Sequence, residues 1–310
     1  MELDIVGQGL TNDQVDAMQA GLSRMGKPDA AVVVTDDFVG TVRNLTSQER
    51  YSTDRGASIV AARTLSLEDR SVIVVNRPEV SHLPPREFER LLAHEAGHIQ
   101  LNERAEGLAG RRNLVEADWE WWLLRLGGLA LDELRIERHL ADLGYEVSGV
   151  GTVDHLTDSL YQLNAEIVLA LTDPASSDVE TLANSVMKSH DWFSKHLSYF
   201  AAFHSDLAGS ELAGLPNHAK KNWNDYVGPT WKGRVDLYQQ APTSAEPIGG
   251  SDLNELLREA GRQEKALLSK IGFLYASERD GFSFRRVVND DVCSARVQRA
   301  IAVARMYEGT

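Results

Sequence analysis

Residues 91–101 read LLAHEAGHIQL, and no other stretch restricts the fold of this chain so tightly. Pro84 and Pro85 suit a helix start, and Phe88, Leu91, Leu92, Ile99 and Leu101 give the following segment an apolar side, so the spacing predicts a helix through it. His94, Glu95 and His98 then fall in mid-helix, among residues that belong in a core. Imidazole and carboxylate groups withdrawn from water without partners are costly, so the fold must supply partners. Residues four apart lie on the same helix face, and the two imidazoles can converge on one ion at Zn–N distances of about 2.0–2.1 Å. Glu95 projects about 100° further round. There its carboxylate can reach a water in an open ligand position and take its proton, the role of a general base in peptide hydrolysis. Ala96 and Gly97 leave room for another element to pack closely at the metal.

A catalytic zinc site needs a third protein ligand and one open position. The stretch IQLNERAEGLAG after His98 holds no histidine, which leaves a carboxylate as the natural choice. Two predicted helices offer Glu-x-x-x-Glu. Glu116 of the pair Glu116 and Glu120 stands at capping-box spacing from Asn113, which already explains it. Glu133 shares a face with Leu129, Ile136 and Leu140, an odd place for a charge unless something cationic meets it. Glu133 is therefore the expected third ligand, with Asp132 and Glu116 as alternatives. Glu137, one turn on, can accept a hydrogen bond from the far nitrogen of a ligating histidine and hold its ring. Among donors for a developing oxyanion, Tyr145, His155 and Tyr161 are within reach in chain order, and spacing selects none.

Around this centre the chain divides in two. TNDQVDAMQAGLSRMG (11–26) predicts a helix capped at Thr11 or Asn12 and closed at Gly26. AAVVVTDD (30–37), SVIVVN (71–76) and, more weakly, GASIVAAR (56–63) read as strands. NLVEADWEWWLLRLGG (113–128) and LALDELRIERHLADLGY (129–145) read as two helices separated by Gly127 and Gly128. Beyond Tyr145 the pattern is almost wholly helical, interrupted by the Pro/Gly/Ser-rich stretch APTSAEPIGG. The expected class is α+β: a catalytic core over 1–145 with a small sheet packed on the HEAGH helix, a helical region over 146–240, a linker at 241–250 and a helical extension over 251–310.

Composition sets limits on function. The net charge of −14 repels polyanions, which argues against nucleic acid as a partner. A single cysteine, Cys293, forms no internal disulfide and has no neighbouring base to mark it as a nucleophile. The amino terminus is a poor secretory signal, and no run of about 18 apolar residues suggests a membrane span, so the expected location is cytoplasmic and away from the bilayer. His190, His196 and His204 fall among Val186, Phe193, Leu197 and Phe200 at helical intervals and read as core or rim residues. Trp119, Trp121 and Trp122 read as packing residues.

The run SVIVVNRPEVSHLPPREFERLLAHEAGHIQLN resembles the core of the zincin metallopeptidases, and in detail the intracellular regulatory peptidases of the ImmA/IrrE type, over about residues 70 to 140. The motif ELRIE resembles the Glu-x-x-x-Asp arrangement of thermolysin-like zincins, with Glu137 in place of Asp. The resemblance implies a zincin-like fold, bound zinc, and a peptide or protein substrate added as an extended strand to Val72–Asn76, with Val72, Val74 and Asn76 contacting it. With no pro-segment visible, restraint on activity is expected from narrow access or from a regulatory protein partner. The alternative is a catalytically silent zincin-like module that binds or senses.

Overall fold

The computed structural model describes residues 5–6, 9–49, 51–53, 60–68, 70–146, 149–204, 211–279 and 281–308. Its class is α+β, and its contacts gather into two compact units that are not contiguous in sequence. The first comprises Met1–Gly107, Ile136–Glu146 and Thr243–Pro247; the second comprises Leu108–Arg135, Val147–Pro242 and Ile248–Thr310.

In the first unit the order is β1 (Ile5–Val6), α1 (Asn12–Arg24), β2 (Ala30–Thr35), α2 (Phe38–Thr46), β3 (Ala62–Ser66), β4 (Ser71–Asn76), α3 (Arg77–Val80) and α4 (Pro85–Glu103). Thr11 caps α1 as expected, its hydroxyl accepting from Gln14 N while the Gln14 side chain accepts from Thr11 N. The strand order is β1-β2-β4-β3, with β3 antiparallel to β4 and the other pairs parallel. Alternation along β4 sends Ile73 and Val75 into a core with Met18, Leu22, Phe88, Leu92 and Ile99, while Val72 and Val74 join Phe38 and Val42. Both faces of the strand are therefore covered.

That placement corrects the expectation for Val72, Val74 and Asn76. β4 pairs with β2 on one side and β3 on the other, so its main chain has no edge to offer an incoming peptide. The edge is β3. Its strand begins only at Ala62, later than the segment GASIVAAR suggested, and residues 56–59 of that segment lie outside the described residues. Bonds from Asn76 N to Ala61 O and from Leu67 N to Arg70 O fix the parity of the ladder. Arg63 and Leu65 thus bond to β4, and the main-chain groups of Ala62, Thr64 and Ser66 point away from it. Among the described residues no strand pairs with that side.

Next comes α5 (Asp118–Asp142), a single unbroken helix, contrary to the two predicted. Gly127 and Gly128 do not end it because they serve close packing: a Cβ on Gly127 would sit 2.6 Å from the Ala260 carbonyl carbon, and one on Gly128 2.7 Å from Leu108 Cδ2. Asn113 is not its cap either. Residues Arg112–Leu114 form a separate 3-10 turn, and at the true start Ala117 N donates to Glu120 Oε2 at 3.3 Å.

The second unit continues with α6 (Val153–Thr172), α7 (Val179–Phe203), α8 (Asn217–Asn222), a π-helical turn at Trp223–Val227, α9 (Gly228–Gln240) and α10 (Gly250–Ile271). The last region is not wholly helical as expected: β5 (Phe273–Glu278) and β6 (Gly281–Arg286) form an antiparallel hairpin before α11 (Asp290–Glu308). Phe273 and Phe284 stack across it with ring centroids 5.2 Å apart, which buries one face of the ribbon. No described helix is long and apolar enough to cross a membrane.

Candidate metal centre

The diproline start and the apolar spacing of α4 produce a helix from Pro85 to Glu103 with His94 and His98 on one face, their ring centroids 5.0 Å apart. Gly97 lets α5 approach that helix: a Cβ there would lie 2.9 Å from both Ile136 Cγ1 and Cγ2, closer than side chains tolerate. Ile136 stands between Glu133 and Glu137, so the contact permitted by Gly97 also fixes the height of these two acids along α4.

Glu137 is buried, and its Oε1 lies 2.8 Å from His94 Nδ1 while Oε2 pairs with Arg90, one turn before His94 on α4. The Arg90 guanidinium supplies the positive charge for this carboxylate. His94 can therefore donate from Nδ1 as a neutral ring, which leaves the Nε2 lone pair for an ion. One turn earlier on the same uninterrupted helix stands Glu133, 7% exposed. One ligand atom each from His94, His98 and Glu133 lie within 4.8 Å of one another, the one such group among the described residues. Ligands of a tetrahedral zinc site stand about 3.4 Å apart, so modest side-chain rotation closes these three on an ion. Two imidazoles and one carboxylate are also a donor set that suits zinc and leaves a fourth position open.

Glu95 is 7% exposed and turns toward the sheet, where the Thr64 hydroxyl lies 2.7 Å from its Oε2 and 2.9 Å from its main-chain oxygen. A hydroxyl has one proton to give, and the charged carboxylate is the stronger acceptor. Edge strand β3 thus orients the acid that follows the first histidine. Sequence reasoning missed Thr64, because nothing short of the strand register connects it to Glu95. Arg90 was missed as well, although its position four residues before His94 was an available signal.

No family model, curated protein or solved structure matches the chain.

The alternatives for the third ligand stay outside the group. Glu116 is exposed and precedes α5, and Asp132 is not among the three converging residues. Of the oxyanion candidates, Tyr145 is committed elsewhere, its hydroxyl donating to Glu89 Oε1 at 2.7 Å; burial and that carboxylate push its pKa upward. His155 stacks on His196 with centroids 4.5 Å apart. Burial, and then the neighbouring His155, push His196 down to about 3, so that ring is neutral at physiological pH.

Proposed function

We propose that the chain is a zinc-dependent peptidase in which His94, His98 and Glu133 hold the ion and Glu95 is the general base. The observation that carries this reading is the convergence of two imidazoles and a carboxylate, from α4 and α5, beside an acid held by the sheet edge. The resemblance of residues 70–140 to the ImmA/IrrE-type zincins agrees with it.

Each residue then has a definable task. A zinc ion in this position supplies Lewis acidity, lowering the pKa of a water and polarising a carbonyl oxygen. Glu95 takes the proton of the attacking water on Oε1, the oxygen that Thr64 does not engage, and passes it to the departing amine. Thr64 keeps that carboxylate from rotating away. Glu137 holds the His94 ring in the tautomer that presents Nε2. An extended substrate adds to β3, hydrogen-bonding to the outward main-chain groups of Ala62, Thr64 and Ser66. Thr64 would thus touch the substrate through its backbone and the base through its side chain.

Glu95→Gln tests the reading. Incubated with a proteome, the wild-type chain should generate new peptide termini and the variant none, while both retain zinc. Metal retained by a wild-type chain that cuts nothing would favour a silent binding module instead.

A further inference from the structure

The loop between α9 and α10 is tied to both helices that supply the ligands. Pro242 O accepts from Arg135 Nε at 3.1 Å, and Ser244 Oγ lies 2.9 Å from His139 Nδ1, so two residues one turn apart on α5 meet the loop. Ser244 O accepts from Arg104 Nη2 at 2.5 Å, and Arg104 is the C-cap of α4. Arg104 is held in turn by buried Glu106, Nε to Oε1 at 3.2 Å. A turn closed by Glu246 N to Thr243 O at 3.1 Å shapes the segment, and Pro242 and Pro247 restrict its backbone. Ser244 itself is fully buried.

Residues two apart on a helix project about 200° from one another. Arg135 and His139 therefore face nearly opposite to Glu133 and Glu137, and α5 is gripped from behind as well as from the metal side. With side chains reaching roughly 5–6 Å from the axis, a 10° rotation of α5 would move a carboxylate by about 1 Å. That is about twice the positional tolerance of about 0.5 Å for a working site. The serine–histidine pair is not a nucleophile with its base, because a hydroxyl without exposed surface cannot meet a substrate.

We propose that residues 242–245 form a strap that sets the rotation of α5, with Ser244 as a positioning residue for the metal group. This rests on the metal-site reading above. The test is a double-mutant cycle on the full chain with Ser244→Ala, His139→Leu and both together. Zinc affinity is read by competition with a chromophoric chelator, ligand geometry by the visible spectrum of the cobalt(II)-loaded protein, and stability by the melting point of the metal-free form. Each single variant should weaken zinc binding by up to about tenfold, the low end for support residues around a metal. The cobalt bands should shift, and the double variant should be no worse than the poorer single. If both single variants bind zinc and give cobalt spectra like the wild type, or if their losses simply add, the strap is refuted while the metal site stands. A wild-type chain that binds neither ion would overturn the metal site and the strap together.

Discussion

Two places in the molecule use the same three residue types. In the first unit buried Glu137 meets His94 and Arg90; in the second, Glu264 accepts from His190 Nε2 at 2.6 Å and from Arg234 Nη1 at 2.7 Å, with Ser194 Oγ adding a bond at 2.5 Å. The side chains differ in burial. His94 and Arg90 are 12% and 15% exposed, whereas His190, Arg234 and Glu264 are at or below 1%. They differ more in what the histidine does next. Beyond Glu137, His94 belongs to a group that can hold an ion, and His190 belongs to none among the described residues. An Arg–Glu–His cluster is therefore not a functional signature in itself. The sealed one is a structural ion pair, and the other becomes chemically useful because its histidine converges with His98 and Glu133.

The sharpest way to break this contrast is Glu264→Gln. It leaves the Arg234 charge buried without compensation and should cost about 3–5 kcal/mol in urea unfolding. Glu137→Gln should instead lower zinc affinity by about 10–100-fold, with a smaller loss of stability. If the two variants gave the same pattern, the distinction would collapse.

Acid sharpens the comparison further. Burial alone would raise the Glu264 carboxyl, but the Arg234 charge and the His190 hydrogen bond outweigh it and hold the group below the usual carboxylate range. The unfolded chain then takes up this proton first, so the pair's stability is present above about pH 4.3 and drains away below it. The wild type should lose stability on acidification through that range, and the Gln variant should show a shallower slope in denaturant midpoints.

Gly97→Ala should cost about 1–3 kcal/mol by driving a methyl into Ile136, and should weaken zinc binding by moving α5. Chelator competition alongside a melting curve separates these effects. The smallest change expected is Thr64→Val, about threefold in turnover with zinc affinity unchanged, because it removes a single hydrogen bond from Glu95.

Much of this was legible in the sequence. Pro84, Pro85 and the apolar spacing defined α4, and the burial argument selected Glu133 over Glu116, in keeping with the group in the structure. His190 is a core residue as its neighbours suggested. What failed was mostly long-range. Gly127 looks like a helix breaker until Ala260, more than a hundred residues away, is known to press against it, and Gly128 does so until Leu108 and Leu257 are known to meet it. The strand register could not be read, although the unbroken apolar run SVIVV already spoke for a strand covered on both faces, and the mixed ARTLS for an edge. The hairpin of β5 and β6 was hidden by its helical neighbours, yet Phe273, Tyr275, Phe282 and Phe284 alternate around an Asp-Gly pair at 280–281.

The most direct test of the central claim is elemental analysis of metal-stripped protein after zinc loading and gel filtration, for the wild type and for His94→Ala/His98→Ala. One zinc per wild-type chain and none in the double variant is the predicted result. Equal zinc in both, or none in the wild type, would contradict it.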